Sequence, residues 1–124
     1  MEELSLFEAE KRLMEIIWQE APIESGKLVK LAGEQINWNK STTYTVLRKL
    51  IDKGFVKNKD TIVSVLIPKE DVLISESHQI VDDSFSGSLP SFVAAFFGGN
   101  KTISDEEAQD LIKLIKANIG GDKK

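Results

Sequence analysis

Cysteine is absent from this 124-residue chain, and histidine occurs once, as His78. No disulfide framework, thiol nucleophile, thiolate zinc site or iron–sulfur cluster can be built without cysteine. A lone imidazole offers little to a transition metal, and no Ser–His–Asp arrangement is evident around His78. Long apolar runs are missing too. The longest, Phe92 to Phe97, falls far short of the roughly 20 residues that a membrane-spanning helix needs. Met1-Glu2-Glu3 is acidic and does not open a charged-then-apolar leader. Gly98-Gly99 lacks the preceding strand and spaced third glycine of a phosphate-cradling loop. No internal repeat or low-complexity tract is present. At 41% hydrophobic and 29% charged, the remainder has the composition of a soluble globular protein. A chain of this length buries about two-thirds of its unfolded surface, so it folds without crosslink or metal. The expectation is a soluble, cytoplasmic protein with no cofactor, no metal and no membrane partner.

The net charge of −4 is unevenly spread. Residues 1–69 carry 11 basic and 10 acidic groups, whereas residues 70–124 carry 5 and 10. Between Lys27 and Lys69, nine basic residues face only Glu34, Asp52 and Asp60. Polyanion binding depends on local positive potential, so whole-chain acidity does not exclude it. A solvated basic face would give the same count, and charge alone does not choose between the two.

Ser5-Leu6-Phe7-Glu8 reads as a capping box opening a helix, with Leu6, Leu13, Met14 and Ile17 at helical spacing through Trp18. Ala21-Pro22 stops it. A second helix is expected over 25–36, with Leu28, Leu31, Ala32 and Ile36 on one face. Asn39 then serves as N-cap for a third helix over 40–53, where Val46, Leu47, Leu50 and Ile51 make a narrow apolar stripe. Gly54 suits the left-handed position after a helix. Phe55-Val56-Lys57 and Ile62–Ile67, separated by Asn58-Lys59-Asp60-Thr61, read as a β-hairpin that Pro68 ends. Three short helices followed by a hairpin is the winged-helix arrangement of the helix-turn-helix class.

Beyond Glu70 the pattern is helical again. One helix carries Val72, Leu73, Ile80, Val81 and Phe85 and ends near Gly87; a second spans Phe92 to Phe97, before Gly98-Gly99. A third opens on the capping box Ser104-Asp105-Glu106-Glu107 and carries Leu111, Ile112, Leu114 and Ile115. These segments are too few and too apolar to form a core alone. The expected partner is the same region of a second copy, in a two-fold dimer.

The third helix carries the candidate site. Lys40, Ser41, Thr42, Thr43, Tyr44, Thr45, Arg48 and Lys49 supply short hydroxyls that let a backbone approach the major groove, and cations for phosphate or guanine. A merely polar helix face would be richer in Glu, Lys, Gln and Ala than this hydroxylated run. Lys57 and Lys59, with Asn58, would contact phosphate from the wing, although solvated turn residues look the same. Trp38 fits packing between helices better than a phosphate contact, and Trp18 belongs to the core. Asp105-Glu106-Glu107 is accounted for as helix-start acid, and Asp82-Asp83 as a polar helix face, so no enzyme is expected.

Four stretches together are similar to a known family. They are Leu4-Ser5, Glu8 and Leu13–Trp18 with Pro22; Trp38, Thr42–Leu50 and Lys53-Gly54; Phe85–Ser88 with Phe92-Val93-Ala94 and Phe96; and Ile103–Glu107 with Leu111 and Leu114. In this order and spacing the chain resembles the penicillinase and methicillin-resistance repressors of the BlaI/MecI type, which also include copper-responsive CopY relatives. The resemblance implies a homodimeric repressor of inverted-repeat operators, with Thr42, Thr45 and Lys49 (usually arginine in the family) on the operator-reading helix. The family wing commonly carries a Gly-Arg pair and a tyrosine before its proline, whereas this chain has Asn58–Thr61 and Leu66. Antibiotic-responsive members are cleaved at an Asn–Phe bond, and the matching pair here is Ala95-Phe96. The copper members end in a cysteine cluster, which this chain lacks.

The sequence thus reads as a mainly α chain with a small β-hairpin wing: a winged helix-turn-helix domain over 1–69, a helical dimerisation region over 70–119 and a flexible tail over 120–124. Dimerisation falls to Phe85, Leu89, Phe92, Val93, Phe96, Leu111, Leu114 and Ile115. The expected partners are a double-stranded DNA operator and a second copy. The rival reading is a winged helix that binds protein and has no DNA target.

Overall fold

The computed structural model describes residues 4–120; the acidic start and the last four residues of the expected tail lie outside them. Helix α1 (Glu8–Glu20) buries Leu13, Met14, Ile16 and Ile17, a stripe set by their helical spacing. Its start differs from the expected capping box. Phe7 occupies the N-cap, and its N–H donates to the Glu10 carboxylate at 2.9 Å. Ser5 lies two residues before that N-cap, outside the helix, and its carbonyl accepts from Lys53. Helix α2 (Ser25–Ile36) ends at Asn37, which takes the left-handed conformation (φ 58°) that asparagine tolerates better than most residues. Helix α3 (Lys40–Asp52) starts as the sequence indicates, with Asn39 Oδ1 accepting the Thr42 N–H at 2.8 Å.

The sheet is antiparallel, with strand order β1 (Ile23–Glu24), β3 (Ile62–Val65), β2 (Val56–Lys59). Strand β1 was invisible in sequence because two residues carry no period; it exists through pairing Ile23 with Val63. Strands β2 and β3 form the wing, paired from Val56–Val65 to Lys59–Ile62 around a two-residue turn. Both turn residues, Asp60 (φ 53°) and Thr61 (φ 65°), are left-handed, as a turn matching strand twist requires.

Helix α4 (Lys69–Ser84) ends three residues before Gly87, whose N–H reaches back to the Val81 carbonyl at 2.9 Å. Helix α5 (Leu89–Phe96) starts earlier than expected, because the Ser88 hydroxyl caps the Ser91 N–H at 3.1 Å and Pro90 sits in the first turn. Helix α6 (Asp105–Ala117) begins where Ser104 Oγ accepts the Glu107 N–H at 3.0 Å.

One buried apolar cluster joins α1, α2, α3 and the sheet, including Leu13, Ile17, Leu28, Leu47, Leu50, Phe55 and Val63. Trp18 packs against it and donates its indole N–H to the Ile67 carbonyl at 3.0 Å. The cluster extends into α4 through Val72, where the Lys11–Glu76 (2.9 Å) and Lys69–Glu15 (3.0 Å) pairs also fasten the helix. Helices α5 and α6, by contrast, contain no buried residue. Among the described residues, no helix is long and apolar enough to cross a membrane.

Candidate nucleic-acid interface

Helix α3 turns Thr43, Val46, Leu47 and Leu50 inward and leaves Lys40, Ser41, Thr42, Thr45, Arg48 and Lys49 exposed. Ser41, Thr45 and Lys49 follow at intervals of four, with Arg48 seven residues after Ser41, so these side chains share one outer face. The helix is about 20 Å long, and a helix of this width fits the major groove of a duplex.

Two of the sequence candidates belong elsewhere. Thr43 is fully buried, and its hydroxyl donates to the Asn39 carbonyl at 2.9 Å, closing the first turn of α3. Its spacing of three, four and seven residues from Val46, Leu47 and Leu50 puts it on the apolar stripe, and that spacing was the available signal. Tyr44 is half-buried, and its hydroxyl reaches Ser25 Oγ on α2 at 3.3 Å, bracing one helix against the other. Trp38 is also half-buried against the core, in keeping with packing.

On the wing, Lys57 and Lys59 are exposed and, two residues apart on β2, project from the same side of the strand. Ion pairing separates the cations into two groups. Lys11, Arg12, Lys53 and Lys69 are matched with Glu76, Glu8, Glu10 and Glu15. Among the described residues, no carboxylate oxygen lies within 4.0 Å of Lys40, Arg48, Lys49, Lys57 or Lys59. The positive charges on α3 and the wing are thus unpaired, as are those of Lys101, Lys113 and Lys116 further along the described residues, and this pairing is not legible in a charge count. Lys27 and Lys30, exposed on α2, extend the same unpaired set and were not singled out in sequence. Asp52 is the one acid exposed on α3.

The ion pair of Lys11 with Glu76 displaces the lysine's titration. Its pKa is raised, chiefly by the hydrogen bond to Glu76, against a smaller opposing effect of burial. His78, Asp82 and Asp83 are exposed, and no group of three or more His, Asp or Glu residues among the described residues could hold a metal ion.

Among the expected dimer residues, Phe85 and Phe92 are half-buried and meet edge to face, 5.5 Å between ring centres. Leu89, Val93, Phe96, Leu111, Leu114 and Ile115 are exposed. An open groove between α5 and α6 is lined by Phe92, Val93, Phe96, Leu111 and Leu114.

Three helices, a three-stranded antiparallel sheet and a cationic wing define a winged-helix protein with a helical region appended. A family model described as "Penicillinase repressor" matches residues 6–117, and the chain belongs to that family of transcriptional regulators. It is 28% identical over 113 residues to the penicillinase repressor of Bacillus licheniformis, covering 88% of each chain. It is 23% identical over 111 residues to the methicillin resistance regulatory protein MecI of Mammaliicoccus sciuri, covering 86% of this chain and 89% of that one. The MecI protein of Staphylococcus aureus (strain N315) matches to the same extent. The similarity therefore runs through both the winged helix and the helices after it.

Proposed function

We propose that this chain is a cytoplasmic, homodimeric transcriptional repressor that binds an inverted-repeat operator. Residues 1–69 act as the DNA-binding domain and residues 70–119 as the dimerisation region. Two copies of α3 enter successive major grooves about one helical turn, roughly 34–36 Å, apart. Ser41, Thr42, Thr45 and Lys49 face base edges, while Lys40, Arg48, Lys57 and Lys59 neutralise phosphates and set the register. Occupancy of a promoter then excludes polymerase.

The observation that carries this reading is the row of unpaired cations and short hydroxyls on the outer face of α3, continued by the wing lysines. Membership of a repressor family supports it. The apolar side chains left outward on α5 and α6 support a second copy as their cover. Duplex affinity measured at several salt concentrations tests it. The expected result is a linear fall of log K with log salt, with a slope of about −0.9 for each phosphate neutralised. Negligible duplex affinity at every salt would overturn it in favour of a winged helix that binds protein.

A further inference from the structure

Glu10 carries a carboxylate whose side chain is 3% exposed, at the first turn of α1. Its Oε1 accepts from Lys53 Nζ at 2.6 Å and from the Phe7 N–H at 2.9 Å. Lys53 is the C-cap of α3, and its own N–H bonds the Lys49 and Ile51 carbonyls. The same ammonium donates to the Ser5 carbonyl at 3.2 Å and lies 4.5 Å from the centre of the Phe7 ring. The segment then continues to α4, where the Leu4 N–H donates to the buried Ser75 hydroxyl at 3.0 Å. Lys53 is therefore held by groups of its own chain while its side chain stays one-third exposed, although it belongs to the most basic stretch of the sequence.

A carboxylate buried as Glu10 is needs a cationic or hydrogen-bonding partner, so an ion pair made to it allows few alternative arrangements of the elements it joins. Here it joins the start of α1 to the end of the helix that carries Thr45, Arg48 and Lys49. We propose that Glu10 and Lys53 are positioning residues for duplex recognition: their ion pair sets the angle of α3 on α1, so that these three side chains reach the groove in register. The inference rests on the reading of α3 as the DNA-reading helix. It assigns Lys53 no phosphate contact.

Glu10→Gln gives opposite signs for the two roles that Lys53 could have. Neutralising Glu10 frees a cation, so a phosphate-contacting Lys53 would bind every duplex more tightly with a steeper salt slope. A positioning pair predicts affinity for a duplex selected by the wild-type protein to fall about tenfold, the size of one lost base contact. Affinity for a random duplex of equal length, and the salt slope, stay unchanged. Lys53→Arg, which keeps the pair, retains selectivity. The double variant Glu10→Gln/Lys53→Met removes both charges at similar volume, so it keeps the fold even where the single change does not, and it also loses selectivity. Folded variants that discriminate as the wild type does, or that gain affinity on both duplexes, overturn the inference alone. A wild-type protein with no duplex affinity overturns the DNA-reading assignment, and this inference with it.

Discussion

In the winged helix Leu13, Met14, Ile17, Leu28 and Leu50 are sealed from solvent, whereas in α5 and α6 Leu89, Val93, Phe96, Leu111, Leu114 and Ile115 stand in water. Both regions are rich in aliphatic and aromatic side chains, so composition does not distinguish them. The difference lies in what each face meets. The helices of the first region cross one another and close on a sheet, and their apolar stripes are used up within one chain. Those of the second bury no residue within one chain, and their stripes stay open. Each apolar side chain buried contributes on the order of 1.5–3 kcal/mol, so the first region is expected to be stable alone and the second to gain stability by association.

The largest expected effect breaks the first half of this comparison. Leu50→Ala, at a fully buried site, should cost about 2–5 kcal/mol in denaturant unfolding, and a cost below about 1 kcal/mol would contradict the core assignment. The equivalent change on the open face, Leu114→Ala, should leave unfolding of the winged helix unchanged. Next is the association itself. Phe92→Asp should give a monomer in light scattering with weak operator affinity, and a persistent dimer would sink the assignment of α5 to the interface. A smaller effect concerns the polar face of α3. Thr45→Ala and Lys49→Ala should each lower discrimination between operator and random duplex, by about 1–3 kcal/mol for a well-made contact. Equal losses on both duplexes would assign the residue to phosphate instead.

Smaller again is the wing turn. Replacing Asp60-Thr61 by Asn-Gly removes the cost of holding a β-branched residue at φ 65°, and should raise stability by about 1 kcal/mol. No gain would mean that contacts of Thr61 offset its strain. The smallest is the Lys11–Glu76 tie between α1 and α4. Since folding raises the Lys11 pKa above 10.5, the contribution of this pair is present in full below that pH and is lost as pH rises through the folded value. The stability difference between wild type and Lys11→Met should therefore hold constant from pH 7 to pH 9 and shrink only in stronger alkali. A difference that declines between those two values would contradict the tie.

Elements set by local pattern were legible in the sequence: the stripes of α1, α2 and α3, the Asn39 and Ser104 caps, and the hairpin. Those set by distant partners were not. The first helix starts at Glu8, where Glu10 accepts the Phe7 N–H and also meets a lysine 43 residues away, and nothing near Ser5 signals that second contact. Strand β1 depends on Val63. Residue type alone puts Thr43 on the outer face, whereas its spacing from Val46, Leu47 and Leu50 points inward. For the site, sequence named the outward residues of α3, but which lysines are spent on carboxylates of this chain emerges only once the helices are packed.

The most direct test is selection from random duplex DNA by the purified protein at about physiological salt. The account predicts enrichment of an inverted repeat with half-sites about one helical turn apart, because two copies of α3 held by one dimer must read the same sequence twice. Binding without enrichment, or enrichment of a single unrepeated half-site, would contradict it.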